Sequence, residues 1–231
     1  MLTLKNYTNS ILTNISFTLP SNQNLTILGS NGVGKTTLAK VLCGITPSQS
    51  ITINGLYPSK TFGEQRAKLI NYIPPKLEVF DSFITVREFL TLSCLDTHIS
   101  IKTVLETLAI THLEESSCQT LSSGEAQLVQ VAGSWLHGAA YTIFDEPTAN
   151  LDPQKIQLLF RLFKNPNFLQ SKVIITHNLD LAYKLGFDVL YLADKKIAYL
   201  GSAKRFFEQK NLDTIYQQSV QKIADTLVVK L

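Results

Sequence analysis

The chain has 231 residues, of which 45% are hydrophobic and 17% are charged. This is an ordinary globular composition, and it excludes a disordered or fibrous chain. The formal net charge of +3 is too small to predict nucleic-acid binding, and no block of like charge indicates an interaction tail.

The N-terminal sequence MLTLKNYTNS lacks the apolar core of a signal peptide. No stretch approaches the roughly 18 consecutive apolar residues that a membrane span requires. The three cysteines lie far apart without CxxC spacing, as is typical of a protein in a reducing compartment. We therefore expect a cytoplasmic chain without direct membrane insertion, whose role at a membrane would require a partner.

Two short segments at the N-terminus, Leu2–Tyr7 and Ile15–Leu19, alternate apolar and polar residues as half-buried strands do. They predict an antiparallel edge to the fold. Tyr7 has two interpretations at this point. It is either an ordinary strand aromatic or a flat platform for an adenine ring, because stacking requires only a π-face.

A glycine-rich loop follows, because residues 29–37 read GSNGVGKTT and match the pattern G-x-x-x-x-G-K-[ST]. A run of buried-strand type, residues 24–28, precedes the loop, and Lys35–Leu42 has helical spacing after it. Glycines let several backbone N–H groups converge on a phosphate at the helix N-terminus, where the helix dipole favours an anion. Lys35 adds a positive charge for the phosphates, and the Thr36 hydroxyl is placed to ligate Mg²⁺. The predicted nucleotide-binding residues here are Gly29, Ser30, Asn31, Gly32, Val33, Gly34, Lys35, Thr36 and Thr37.

The middle of the chain changes from strand-type to helix-type periodicity. Ile51–Ile53 and residues 69–73 are strand-like, and the second of these ends at Pro74-Pro75. Residues 85–94 and 101–110 have helical spacing, and the sequence LSSGE at 121–125 opens a further helix to about residue 136. We expect residues 76–136 to form a helical lobe inserted into an α/β core.

Two later strands are expected to end in chemically active side chains. The apolar run 140–144 leads into Asp145 and Glu146, and Lys172–Ile175 leads into Thr176 and His177. Ligands bind at the carboxyl ends of parallel strands. Asp145 is thus predicted to hold Mg²⁺ together with Thr36, and Glu146 to act as a general base on the attacking water. His177 is predicted to contact the γ-phosphate from the same pocket.

The C-terminal region begins with a predicted hairpin, formed by residues 189–192 and 196–200. Two amphipathic helices are expected after it. The second, at 212–227, would place its apolar residues near one face; these residues are Ile215, Val220, Ile223 and Leu227.

Taken together, these motifs resemble the ATP-binding subunit of an ABC transporter, over nearly the whole chain and in the family's order. GSNGVGKT is similar to its Walker A motif, LSSGE to its signature motif, and YTIFDE at 141–146 to its Walker B motif with the catalytic glutamate. ANLD at 149–152, which includes Asp152, resembles the D-loop, and His177 resembles the switch histidine. Tyr7 lies 22 residues before Gly29, where the family keeps its adenine-stacking aromatic, so the resemblance favours that interpretation.

The resemblance implies a fold, a cofactor and partners. The fold is a P-loop NTPase core, residues 1–75 and 137–231, with a mixed, mainly parallel sheet, an antiparallel β edge and the inserted helical subdomain. Two copies would form a homodimer that holds ATP and Mg²⁺ in composite sites, each γ-phosphate lying between one Walker A motif and the other chain's signature residues. Those residues are Ser122, Gly124 and Glu125. The helical lobe would dock a transmembrane permease, which would hold the chain peripherally on the inner face of the cell membrane.

The sequence departs from the family pattern at three positions. Ser123 replaces a usual glycine, and Asn178 follows the histidine where Asp is common. Pro75 stands where the family has a glutamine that contacts Mg²⁺ and water, and the chain has no glutamine between Gln65 and Gln119. This last departure affects metal coordination and coupling to the permease.

The cargo and the direction of transport are not encoded in these motifs. The segment ITVREFL at 84–90 and the region after His177 resemble the corresponding segments of importers of iron–siderophore or related metal-chelate cargo. The alternative is a non-transport ATPase of the same fold, of the iron–sulphur assembly or cell-division type. An ATP-binding module without turnover is disfavoured, because Lys35, Asp145, Glu146 and His177 are all present.

Overall fold

The computed structural model describes residues 1–77, 83–95, 99–149, 151–224 and 226–229. Its strands are β1 (Leu2–Tyr7), β2 (Ile15–Leu19), β3 (Leu25–Gly29), β4 (Ile51–Ile53), β5 (Ile70–Ile73), β6 (Tyr141–Asp145), β7 (Lys172–Ile175), β8 (Asp188–Ala193), β9 (Lys196–Gly201), β10 (Val220–Ile223) and β11 (Thr226–Val229). Its α-helices are α1 (Lys35–Leu42), α2 (Gly63–Leu69), α3 (Val86–Ser93), α4 (Ile101–Thr107), α5 (Ser123–His137), α6 (Pro153–Lys164), α7 (Leu179–Leu185), α8 (Ala203–Phe206) and α9 (Gln209–Tyr216).

The main sheet has six strands in the order β5-β6-β7-β3-β8-β9. Its first five strands are parallel, and β9 pairs antiparallel with β8. Every residue of β6 and β7 is buried, as central strands covered on both faces require. Because β3, β5, β6 and β7 run in the same direction, their carboxyl ends meet at one edge of the sheet. The predicted mainly parallel α/β fold is confirmed.

The predicted antiparallel edge is a separate sheet, with the order β2-β1-β4. Its strands bury alternate residues against a core shared with α1 and the main sheet. Residues 51–53 were predicted to be a strand, but their place beside β1 was not predicted, since it depends on a pairing between distant parts of the chain.

Three helices pack together between β5 and β6 in sequence, and the two predicted helical segments are found as α3 and α4. Thr85 begins α3 with a capping box, in which its side chain accepts from the Glu88 N–H and Glu88 reciprocates. A second core cluster forms beneath these helices, where Phe144 of β6 packs edge-on against Phe163 of α6 with ring centroids 5.1 Å apart. Parts of the predicted lobe, residues 78–82 and 96–98, lie outside the described residues.

The prediction of a helix over 212–227 is wrong. Helix α9 ends at Tyr216, and β10 and β11 form an antiparallel hairpin after it. The hairpin packs on α7, where the Leu227 N–H donates to Asp180 Oδ1 (3.2 Å) and Lys222 Nζ lies 4.6 Å from the Tyr183 ring centroid. Gln217, Gln218 and Ala224 adopt positive φ, and this lets the chain turn where no glycine or proline indicated a turn.

Among the helices that the structure describes, none is both long enough and apolar enough to cross a bilayer.

Candidate functional site

The glycine loop between β3 and α1 has a backbone that other residues could not adopt. Gly34 has φ +110°, and a Cβ atom there would lie 2.8 Å from Leu12 Cδ2. A Cβ at Gly29 would lie 2.7 Å from the Leu192 carbonyl oxygen. Helix α1 starts directly after Gly34, and in the described part of the chain it has no side-chain cap, so its first N–H groups remain available to a ligand. This leaves an anion-binding helix start at the carboxyl edge of the sheet.

The Lys35 side chain folds back over the loop. Its ammonium group donates to the Gly29 carbonyl (2.8 Å) and to the Ser30 carbonyl (3.1 Å), and the residue is only 7% exposed. An ammonium has three N–H donors, so these two bonds hold the charge at the loop while a third donor can serve an anion.

Asp145 ends β6 with 1% exposure. Its Oδ2 accepts a hydrogen bond from Thr36 Oγ1 (2.7 Å) and one from the Tyr72 hydroxyl (3.0 Å). Burial raises the pKa of the Asp145 carboxyl, while the bonds from Thr36 and Tyr72 oppose that shift. The structure thus brings together the two predicted metal ligands. It also adds Tyr72, which sequence reasoning missed because nothing local to β5 signals a contact with β6.

Glu146 and His177 form a pair beside this carboxylate. His177 Nδ1 lies 2.9 Å from Glu146 Oε2, and the same oxygen accepts from the His177 backbone N–H (3.3 Å). Glu146 has φ +53°, a conformation that costs about 1–3 kcal/mol and is typical of functional sites. Its N–H nevertheless donates to the Ile175 carbonyl (2.9 Å), so pairing with β7 holds the strained residue in place.

The glycine loop, Lys35, Thr36 and the two carboxylates line one cleft of about 350 Å³, whereas His177 is not among its lining residues. It combines the loop's N–H groups and ammonium with two carboxylates, as binding and hydrolysis of a metal-bound phosphate would require. Ile11 also lines it, although this residue belongs to none of the motifs found in the sequence. The lining residues are Ile11, Asn31, Gly32, Gly34, Lys35, Thr36, Thr37, Asp145 and Glu146.

The signature residues do not line this cleft. Ser122 begins α5 with a capping box, in which its hydroxyl donates to Glu125 Oε2 (2.6 Å) and accepts from the Glu125 N–H (3.4 Å). The hydrogen bonds from Ser122 lower the pKa of Glu125. Asp152 caps α6 in a similar way, by accepting from the Lys155 N–H (2.9 Å). Both caps have a signal in the sequence. The S-x-x-E spacing indicates the first, and the Asp that precedes Pro153 indicates the second. Asn150, in the predicted D-loop, lies outside the described residues.

Tyr7 occupies a core position. Only 7% of the residue is exposed, it belongs to the cluster under the three-stranded sheet, and its hydroxyl accepts from Asn9 Nδ2 (3.0 Å). Stacking on adenine needs an open ring face, so this burial favours the strand-aromatic interpretation. The sequence pattern could not distinguish the two interpretations, because both place an aromatic residue at the end of β1.

Comparison with known proteins places these motifs in one family. The family model described as "ABC transporter" matches residues 12–149. An ABC transporter ATP-binding protein of Treponema denticola is 34% identical over 177 residues, although the chain spans only 35% of that relative's length. An iron chelatin transport ATP-binding protein of Helicobacter pylori strain J99 is 30% identical, with 95% of this chain and 92% of the relative covered. The zinc import ATP-binding protein ZnuC of Buchnera aphidicola subsp. Schizaphis graminum is 32% identical, with 93% and 89% covered.

The fold also matches a solved structure of an ATP-binding subunit of an ABC transporter. That match has a TM-score of 0.81 at 23% identity and covers 94% of this chain and 98% of the other. The family model covers more than half of the chain, and its match includes the loop, the signature helix and both carboxylates of the cleft. The chain therefore belongs to the ABC transporter family, as one of its ATP-binding, ATP-hydrolysing subunits.

Proposed function

We propose that the cleft at the carboxyl edge of the main sheet binds and hydrolyses ATP with Mg²⁺, and that this hydrolysis drives a permease. One observation carries the assignment. Buried Asp145 accepts from Thr36 within the cleft that also contains Lys35 and Glu146. A phosphate-binding loop, a metal-binding pair and a base thus meet in a single cleft.

The residues present fit a magnesium ion. Mg²⁺ takes oxygen ligands and commonly uses one or two protein groups besides waters and substrate phosphates. The Thr36 hydroxyl can donate its proton to Asp145 and still offer a lone pair to a metal. Thr36 and Asp145 would hold the ion, and its charge would offset the charge that develops on the phosphates.

The hydrolytic step needs a base beside the γ-phosphate. Glu146 accepts the proton of the attacking water as the water oxygen bonds to the γ-phosphorus, and the bond from that phosphorus to the bridging oxygen breaks to release ADP. His177 donates to Glu146 Oε2 and holds that carboxylate in place. Lys35 and the start of α1 stabilise the phosphate charge.

We propose further that the working unit is a homodimer in which the signature segment of one copy completes the cleft of the other. Ser122 and Ser123 are exposed at the start of the 15-residue helix α5, and the signature residues do not contribute to the cleft of their own chain. An exposed helix N-terminus that carries a serine hydroxyl suits a γ-phosphate presented by a second copy.

The permease would dock beside the helical residues of the 76–136 subdomain. A second cleft of about 360 Å³ lies between the end of β5 and helices α3 and α5, and its lining includes Leu77, Phe89 and Gly133. Leu92 on α3 is 77% exposed. Because this apolar cleft adjoins the end of β5, a permease helix docked in it would be coupled through β5 to the ATP site. Such docking would hold the chain on the cytoplasmic face of the membrane.

We propose that the cargo is metal-bearing and imported, an iron chelate or zinc, because the relatives that match over nearly their whole length are named for those cargoes. The test is reconstitution of the chain with its permease in liposomes, followed by measurement of the uptake of ferric chelate and of zinc. ATP-dependent uptake of one of these is expected. ATP hydrolysis without uptake of either would contradict the cargo and leave the ATPase assignment intact.

Replacement of Pro75 tests how the ATP cleft and the permease communicate. The carbonyl of Pro74 accepts from Gln130 Nε2 of the signature helix (3.3 Å), while Pro75 itself lacks an N–H and fixes φ. Pro75→Gln restores an amide that can orient the attacking water, so we expect turnover to rise up to about tenfold, as one added hydrogen bond allows. The measurement is steady-state ATP hydrolysis, alone and with the permease in lipid.

Pro75→Ala is the matched control, because it removes the ring and restores the backbone N–H, as Pro75→Gln does, without adding a side-chain amide. An equal rise in both variants would mean that chain stiffness, and not the missing amide, limits turnover. If the wild type shows no ATP hydrolysis while Pro75→Gln is fully active, the proposal that the natural protein hydrolyses ATP is contradicted.

A further inference from the structure

The Tyr72 hydroxyl reaches the carboxylate that the proposed function assigns to the metal. It lies 3.0 Å from Asp145 Oδ2, the same oxygen that Thr36 Oγ1 approaches to 2.7 Å. Neither bond uses Oδ1. A carboxylate that accepts two hydroxyl donors on one oxygen is held in one orientation, with its other oxygen turned away from both donors.

The strand register explains how Tyr72 reaches this position. β5 and β6 are parallel, and Tyr72 is paired with Ile143, two residues before Asp145. Side chains two apart on a strand share a face, so a long side chain beside Ile143 can extend along the strand to Asp145. The ring packs partly buried against the core cluster that contains Ile143, which fixes its direction.

Two donors on Asp145 have different roles when a metal is present. The Thr36 hydroxyl would be shared between Asp145 and the ion, whereas Tyr72 bonds Asp145 from the neighbouring strand and is not among the residues that line the cleft. Groups that hydrogen-bond a metal ligand orient that ligand and tune metal affinity. Tyr72 is placed to do this for Asp145.

We propose that Tyr72 is a positioning residue of the magnesium site, acting through its hydrogen bond to Asp145 and not by touching nucleotide. This inference rests on the proposed function, since it requires that Asp145 hold Mg²⁺. It differs from a purely structural role of the Tyr72 ring, which would affect stability and leave the metal dependence unchanged.

The test compares Tyr72→Phe with Tyr141→Phe. Tyr141 also has a buried hydroxyl with a hydrogen bond, to the Leu19 carbonyl (3.1 Å), but it starts β6, about 13 Å along the strand from Asp145. Binding of ATP is titrated across a range of Mg²⁺ concentrations and in EDTA, together with thermal unfolding. For Tyr72→Phe, we expect the half-saturating Mg²⁺ concentration to rise about tenfold while ATP binding in EDTA is unchanged. For Tyr141→Phe, both should remain at wild-type values.

Three results would overturn the inference: an unchanged Mg²⁺ requirement in Tyr72→Phe, an equal shift in Tyr141→Phe, or a Tyr72→Phe protein that does not fold. If the wild type itself binds ATP equally well with Mg²⁺ and with EDTA, the result contradicts the magnesium site of the proposed function, on which the role of Tyr72 depends. A wild type that depends on Mg²⁺ beside an unaffected Tyr72→Phe contradicts only the role of Tyr72.

Discussion

Replacement of Glu146 by glutamine is expected to lower the turnover of ATP by about 100-fold or more while ATP stays bound. Glutamine keeps the size of the side chain but cannot accept the proton of the attacking water, and general-base catalysis contributes about 10²–10⁴-fold. The amide can still bond with His177, whose Nδ1 lies 2.9 Å from Glu146 Oε2. The defect should therefore appear in kcat and not in ATP affinity.

The same variant should accumulate as an ATP-bound dimer, because hydrolysis is the event that would release the two copies. Light scattering with ATP and Mg²⁺ measures this directly. Glu64→Gln is a suitable control, since Glu64 is an exposed residue of α2 paired with Lys68. Turnover at the wild-type rate, or a monomer at saturating ATP, would refute the role given to Glu146.

Replacement of Lys35 by alanine is expected to weaken ATP binding by about 100-fold. The ammonium group supplies charge-assisted bonds to phosphate, each worth about 1.5–3 kcal/mol, and 1.4 kcal/mol corresponds to tenfold in affinity. Its present partners are the carbonyls of Gly29 and Ser30, and water can take the place of the ammonium group on both, so the fold should survive. Titration calorimetry with ATP measures the loss.

Lys40→Ala is the matched control for Lys35→Ala, because Lys40 lies exposed in the last turn of the same helix. It tests whether removal of any lysine from α1 weakens binding. Similar ATP affinity in Lys35→Ala and wild type would show that the loop does not hold the phosphates through this side chain.

Local patterns predicted much of this fold because the relevant signals are short-range. The loop at 29–37, helix α1 and the carboxylates at the end of β6 all lie where the sequence predicts them, since each signal is contiguous in the chain. The C-terminal hairpin was not predicted. Gln217 and Gln218 turn the chain with positive φ although neither is a typical turn residue, and the apolar spacing there suits a helix as well as a hairpin.

The parts of the candidate site that escaped sequence reasoning depend on contacts between strands. Tyr72 meets Asp145 only because β5 lies beside β6 in a given register. The left-handed backbone of Glu146 follows from its pairing with β7, and the burial of Tyr7 follows from the packing of the small sheet on α1. The capping box at Ser122 and Glu125 is a different case, because its S-x-x-E spacing could have been recognised in the sequence.

The most direct test of the site is an experimental structure of Glu146→Gln with ATP and Mg²⁺. We expect two chains packed head to tail, with Lys35 of one copy and Ser122 of the other on each γ-phosphate. Thr36 and Asp145 should hold the metal. Nucleotide bound within a single chain without a second signature segment, or a metal held by residues other than Thr36 and Asp145, would contradict this account.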